Sequence, residues 1–389
     1  MADISTTVNG IRFPNPVMTA AGPNVRSGEI MRAAIAGGVG GVVAKTVSVV
    51  AAEDRRPTIR RTTGKGLMNA ETWSEVPVEE YLEDLRQAKE AAAAPGTVGT
   101  GRAAIPLIPS VGYKPEDVAR LGALLETEIA PAAIEFSTHY TGKSHDPLVA
   151  VARSLREAVS VPIWMKISPT TPGIEELVAA AEPYVDAFVA INSYGPVLDF
   201  DPEDPRALLG TPDGSGWLSG APIRTIALNI VHRIAQAQSK PVIGVGGVES
   251  GVDAIKFLMA GASAVQVCSA AIRRGNEVYG RIAGEIDSWL EKHGYSSVSE
   301  VIGLYRPAGA TPEAVPTTME ATHGAVPRMT IGAAACTGCK ACLNQCIHGA
   351  IGWNADNEKA YILPDACIGC GYCQDVCAYN AMELKETAT

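Results

Sequence analysis

The chain has 389 residues, 47% of them hydrophobic, with 39 glycines and a formal net charge of -10. That length suits one large domain plus a small one, and the acidic balance argues against nucleic acid or an anionic membrane surface as partner. Eight of the nine cysteines fall in one terminal repeat, no apolar run approaches the ~20 residues of a membrane span, and Met1-Ala2-Asp3-Ile4 lacks a secretory pattern, so a soluble cytoplasmic protein is expected. From residue 17 to residue 267, short β-rich runs alternate with helix-like spacing. Strands are predicted at 17–21, 41–45, 105–108, 133–136, 163–167, 187–191, 241–245 and 264–267, and helices over stretches such as 178–184 and 225–238. Eight strand-helix units in roughly 250 residues predict an α/β fold, a (β/α)8 TIM barrel. An open doubly wound sheet is the competitor, and no GxGxxG follows the first strand to support it. Residues 306–329, with Pro307, Pro312, Pro316 and Pro327, read as a linker between a barrel over 1–305 and a terminal piece over 330–389.

Barrel enzymes place their chemistry at the C-terminal ends of the strands. Strand seven ends in Gly244-Val245-Gly246-Gly247-Val248, and strand eight in Gln266-Val267-Cys268-Ser269-Ala270. Two glycines after one strand and small polar residues after the next predict a nest of backbone amides for a phosphate, although a steric turn needs glycine as well. In the terminal piece, Cys336, Cys339, Cys342 and Cys346 read C-x2-C-x2-C-x3-C, and Cys367, Cys370, Cys373 and Cys377 repeat the pattern at an offset of 31. Thiolates so spaced on a loop entering a helix can hold three irons of a cubane cluster. Four thiolates also suit tetrahedral zinc, but zinc ribbons usually pair CxxC units without the further two cysteines.

The repeat resembles bacterial two-cluster ferredoxins. The resemblance implies two [4Fe-4S] clusters in a C-terminal ferredoxin domain, with the fourth cysteine of each run crossing over. One cluster then takes Cys336, Cys339, Cys342 and Cys377, and the other Cys367, Cys370, Cys373 and Cys346. Ile347 and Ala378 stand where that family often has proline. In the barrel, Asn15-Pro16-Val17 through Ala21-Gly22-Pro23, Ala44-Lys45-Thr46, Trp164-Met165-Lys166-Ile167, Leu218-Ser219-Gly220-Ala221-Pro222-Ile223-Arg224 and Gly244 to Gly247 resemble the dihydroorotate dehydrogenase superfamily. With the cluster repeat appended, the chain looks most like the FMN-carrying subunits of bacterial dihydropyrimidine dehydrogenases. This resemblance implies FMN on top of the barrel, with Ala21, Gly22, Thr46 and Ser219 around it and its phosphate near Gly220, Gly246, Gly247, Cys268 and Ser269. Lys45 and Lys166 match lysines near the flavin, where a fixed cation favours the anionic reduced ring. Asn69 and Asn192 match substrate asparagines, and Ser193 a small hydroxyl residue. Cys268 reads as a packed residue rather than a nucleophile, and each lysine has the alternative of a solvated surface charge.

The loop after strand four departs from the family, which places a proton-transferring Cys or Ser there. Here the run is Glu135-Phe136-Ser137-Thr138-His139-Tyr140-Thr141-Gly142. Thr138 aligns with the acid/base, whereas His139 and Tyr140 suit proton transfer better; a histidine that merely bonds within its loop is the alternative. Glu135 is expected to face substrate in place of an asparagine, which argues against orotate, or to pair with a neighbour such as Lys143. The expected function is an FMN oxidoreductase that reduces or forms a C=C bond in a cyclic, dihydropyrimidine-type substrate. Electrons would pass through the clusters to an NAD(P)H-oxidising flavoprotein subunit or a ferredoxin, in an oligomer. Two alternatives stay open: a reductase of another conjugated or aromatic-derived ring, and a non-catalytic electron relay.

Overall fold

The computed structural model describes residues 2–62, 64–93, 104–137, 142, 144–307 and 328–385. They form two compact units, Met1–Arg306 and Pro307–Thr389. Of the proposed linker only its two ends lie within the described residues.

The first unit opens with a hairpin, β1 (Thr6–Val8) and β2 (Ile11–Phe13), followed by β3 (Val17–Thr19), α1 (Gly28–Ala36) and β4 (Val42–Val47). Two short strands, β5 (Ile59–Arg61) and β6 (Leu67–Asn69), precede α2 (Val78–Ala93). Regular alternation then resumes: β7 (Leu107–Val111), α3 (Pro115–Ile129), β8 (Ile134–Ser137), α4 (Asp146–Ala158), β9 (Ile163–Ile167) and α5 (Ile174–Ala181). After β10 (Ala187–Ala190) come two extra strands, β11 (Tyr194–Val197) and β12 (Gly216–Ser219), then α6 (Arg224–Ala237). The unit ends with β13 (Val242–Val245), α7 (Gly251–Met259), β14 (Ala262–Val267), α8 (Ser269–Arg274) and α9 (Val278–His293).

Eight strands pair in parallel in the order β3-β14-β13-β10-β9-β8-β7-β4. The two end strands meet through a Met18–Gly41 bridge, and the Thr19 hydroxyl bonds both the amide and the carbonyl of Val43 at 2.8 Å. The predicted (β/α)8 barrel is therefore the fold, and each of its eight strands lies at the predicted place within about three residues. Burial explains why these segments form strands. Their backbones bond to strands on each side, their outward residues pack on helices, and their inward residues fill the barrel. The inner cluster includes Met18, Val43, Ile108, Trp164, Val189 and Ile243. The β1–β2 hairpin closes the bottom: Phe13 packs on Trp164 with ring centroids 6.2 Å apart, and the indole N–H donates to Asn9 at 2.9 Å.

At the other end, β11, β12, β6 and β5 form a separate antiparallel sheet. Residues 59–61, 67–69, 194–197 and 216–219, where the sequence predicts no strand, thus form a four-stranded layer. The alternating signal of strands three to four residues long is too brief to read.

The second unit contains β15 (Arg328–Ile331), β16 (Ile351–Asn354), β17 (Lys359–Ile362), α10 (Tyr372–Val376) and β18 (Met382–Lys385). Its 31-residue cysteine offset extends to the four strands and to the left-handed turns between them. Adding 31 carries β15 onto β17 and β16 onto β18. It also carries the pair Arg328–Lys385 onto Lys359–Asn354, and Ile331–Met382 onto Ile362–Ile351. Left-handed positions repeat too: Gly338 and Gly369, Lys340 and Gly371, Gly349 and Asn380. A small core of Met329, Cys342, Ile351, Ala360, Cys373 and Met382 lies between the halves.

Candidate active site and cluster centres

Inward residues on a strand recur every second position, so the top of the barrel interior is built from Lys45 on β4, Ser110 on β7, Glu135 and Ser137 on β8, Lys166 on β9 and Gln266 on β14. Glu135 is fully buried and Gln266 almost so. The Lys166 ammonium meets Glu135 Oε1 at 3.3 Å and Gln266 Oε1 at 3.2 Å. The Gln266 amide donates to Glu135 Oε2 at 2.6 Å. A buried carboxylate is tolerated when its charge and lone pairs are met, and this triad meets them.

Above it opens a cleft of about 1020 Å³ including its mouth, at the upper end of small-molecule sites. Its lining includes Ala21, Gly22, Lys45, Thr46, Asn69, Lys166, Asn192, Ser193, Ser219, Gly220, Gly246, Gly247, Cys268 and Ser269. The structure thus brings together 14 of the residues singled out from sequence. Glu135 is the correction: it lies one inward position below the lining, held by Lys166 and Gln266 rather than turned toward a ligand. Ser137, two residues further along β8, occupies the rim and accepts from the Asn192 amide at 3.1 Å. Thr138, His139, Tyr140 and Lys143 lie outside the described residues.

Sequence reasoning missed Ser137, Glu71, Thr72 and Gln266, which also line the cleft. The Lys45 ammonium bonds Glu71 at 2.8 Å. Gln266 carried a legible signal, a long polar side chain in the otherwise small and apolar β14. Glu71 carried none, because its partner comes from a different element. Under the Lys45 backbone, the Tyr81 hydroxyl accepts from the Lys45 amide at 3.0 Å and donates to Val25 O at 2.8 Å. Burial raises that phenol far above its ordinary value. Burial likewise pushes the Cys268 thiol up to about 11, so it stays protonated near neutrality and donates to Asn24 Oδ1 at 3.0 Å.

The glycine turn after β13 is shaped by close approach. Gly246 and Gly247 have φ of 132° and 75°, and a Cβ on Gly247 would stand 2.6 Å from Gly220 O. Arg224 pins the turn by donating to Gly247 O at 3.2 Å. Among the described residues, the amides of Gly246, Gly247 and Val248 have no backbone or side-chain acceptor. Unpaired amides on a cleft wall, with two ammonium groups across the floor, fit the phosphate and electron-accepting ring of a flavin mononucleotide.

In the second unit the cysteines gather in crossed sets. One cavity of about 360 Å³ is lined by Cys336, Cys339, Cys342 and Cys377, and another of about 370 Å³ by Cys346, Cys367, Cys370 and Cys373. The Ala350 amide donates to Cys346 Sγ and the Ala381 amide to Cys377 Sγ, each at 3.3 Å. Backbone amides of Ala360 and Gly338, with the Lys359 ammonium, hold the Cys336 thiol below its usual range. Burial raises the thiols of Cys342 and Cys373. Among the described residues, no group of three or more His, Cys, Asp or Glu is placed to hold a single metal ion.

A parallel barrel with a cation-floored cleft at its strand ends, joined to a cysteine-lined unit, defines a flavin-type oxidoreductase class. The dihydroorotate dehydrogenase family model matches residues 3–290, and a 4Fe-4S dicluster domain model matches residues 335–386. The chain belongs to the dihydroorotate dehydrogenase family. Similar proteins include one named dihydroorotate dehydrogenase B (NAD(+)), catalytic subunit, from Methanothermobacter thermautotrophicus, 32% identical across 77% of this chain and 98% of its own length. Proteins of the same name from Pyrococcus abyssi, 33% identical over 76% of this chain and 96% of their own, and Geobacter sulfurreducens, 32% over 77% and 97%, are equally near. The chain is thus a flavoprotein oxidoreductase of the group acting on CH–CH bonds, with a 4Fe-4S domain for electron transfer. No helix among the described residues is long and apolar enough to cross a membrane.

Proposed function

We propose that this chain is the FMN- and cluster-carrying subunit of a dihydropyrimidine dehydrogenase-type enzyme, which interconverts a neutral cyclic C–C and C=C bond. The observation that carries the reading is the donor set of the cleft. Both lining lysines already have carboxylate partners, Glu71 and Glu135, and no arginine lines the cleft among the described residues. A carboxylated ring such as dihydroorotate would lack a free cation among the described residues to receive it. Asn69 and Asn192, with Ser137 and Ser193, offer the neutral donors and acceptors that ring amides need.

The division we propose is a barrel over 1–305, a connector over 306–329 and a cluster unit over 330–389, supported by the compact units meeting at Arg306 and Pro307. FMN would rest against Ala21, Gly22, Thr46 and Ser219, with its phosphate on the amides around Gly220, Gly246, Gly247, Cys268 and Ser269. The chemistry a flavin supplies is two-electron exchange with substrate and one-electron exchange with iron-sulfur clusters. Lys45 and Lys166 present positive charge to the ring, and Glu135 positions Lys166. His139, with Thr138 and Tyr140 beside it, is the proposed proton carrier. The crossed cysteine sets would hold two [4Fe-4S] clusters, and an NAD(P)H-oxidising flavoprotein subunit or a ferredoxin would exchange electrons with them.

The test is an anaerobic half-reaction on protein whose flavin has been identified and iron counted. Dihydrouracil should bleach the flavin absorbance, and dihydroorotate should not. Asn69→Ala and Asn192→Ala should each slow bleaching about tenfold or more, the loss of a hydrogen bond in a desolvated site. Bleaching by dihydroorotate alone would overturn the substrate, and iron without flavin would overturn the whole reading.

A further inference from the structure

The 31-residue duplication gives each cluster site an internal control, because every residue at one site has a counterpart at the other. Reduction potential depends on cluster type, hydrogen bonds to sulfur, solvent exposure and nearby charge. Two of these are matched, and the hydrogen bonds to sulfur are matched at Cys346 and Cys377. Both sites use four thiolates, and their cavities are nearly equal at about 360 and 370 Å³. Cys342 and its counterpart Cys373 are each 8% exposed. The amide-to-sulfur bonds of Ala350 and Ala381 are both 3.3 Å.

Charge is not matched. Lys340 lines the Cys336/Cys339/Cys342/Cys377 cavity, and its counterpart is Gly371. Its ammonium lies 4.5 Å from the centroid of the Trp353 ring, a favourable cation–π seat, and the counterpart of Trp353 is Leu384. Both the cation and its aromatic seat are thus confined to one site. Lys340 also holds a left-handed φ of 62° where Gly371 has 82°, a conformation that glycine adopts freely and lysine does not. The remaining differences are smaller. Lys359 donates to the carbonyl of the ligand Cys336, while its counterpart Arg328 reaches Pro364, three residues before Cys367. Asp365, two residues before Cys367, answers to Ala334. Asp375 stands between ligands of both sites, and Asp356 and Glu358 are exposed on the β16–β17 turn.

We propose that the Cys336/Cys339/Cys342/Cys377 site is the higher-potential member of the pair and takes the first electron, with Lys340 on Trp353 as its positioning cation. This rests on the two-cluster reading above. The electron comes from a chemical reductant or the flavin, and the thiolates stay bonded throughout. It adds one negative charge to an already anionic assembly, and a nearby ammonium favours that added charge.

The test is a dithionite redox titration of the full chain at one fixed pH, followed by low-temperature electron paramagnetic resonance. Two one-electron waves are expected. Lys340→Gly, which restores the residue of the other half, should lower the upper wave and leave the lower one in place. Gly371→Lys with Leu384→Trp should raise the lower wave, and added salt should narrow the gap because Lys340 is exposed. Movement of the lower wave in Lys340→Gly, or of neither wave at about eight irons per chain, would overturn the proposal alone. About four irons in the unaltered protein would overturn the two-cluster reading and this inference with it.

Discussion

At Lys166 an ammonium has the cleft above it and Glu135 with Gln266 below. The arrangement settles what a lysine at the end of an apolar strand is for: the side chain is 6% exposed and its charge is answered from inside the barrel. Glu135→Ala would leave that charge buried and unpaired, at a cost of about 3–5 kcal/mol. The urea midpoint of the barrel should fall accordingly, and Glu135→Gln, which keeps one acceptor for the Lys166 ammonium, should cost less. An unchanged midpoint for Glu135→Ala would show that water or another group takes over the carboxylate. The family resemblance put Glu135 at the ligand in place of an asparagine, with an ion pair to a neighbour as the alternative. An ion pair with Lys166 is what the structure holds. The two-residue period of β8 assigns the cleft position to Ser137 instead.

Between elements, much of the outer barrel is tied by side chains that reach across loops. Glu126 near the end of α3 accepts from the Ser160 amide at 2.9 Å and hydroxyl at 2.5 Å, and from the Val161 amide at 3.1 Å. It thereby fixes the turn from α4 into β9, and the Ser160 hydroxyl and these amides hold its carboxyl below the usual range. A carboxyl lowered by folding stabilises fully above its unfolded value, and that contribution is lost as pH falls through the folded one. Glu126→Gln should therefore lower the melting temperature near pH ~6 and lose its effect toward pH ~3. A difference that stays constant across that interval would assign the loss to packing rather than ionisation. The eight barrel strands were legible because each is a short, mostly apolar run and most lie between helix-like stretches. The four-stranded layer at the mouth was not, since its strands are short and pair with partners far away in sequence, as Trp217 does with Asn69.

For the whole molecule, the decisive feature is that the barrel and the cysteine-bearing segment fall into two compact units. The second unit has a core of few apolar side chains, into which Cys342 and Cys373 are packed, and a unit this small depends on its metal for stability. Replacing Cys370 and Cys373 together by alanine should reduce iron from about eight to about four per chain. Flavin content and bleaching by substrate should persist, while electron exchange with an external acceptor is lost. Loss of flavin as well would show that the two units fold as one.

The sequence by itself determined the barrel, the cysteine duplication and 14 residues of the cleft, because strand burial, ligand spacing and glycine turns are local signals written within a few positions. Only the tertiary structure decided which acid faces the cleft and which lysines already have partners. Those outcomes depend on which strands and loops become neighbours: Glu135 meets Gln266 across 131 residues of chain.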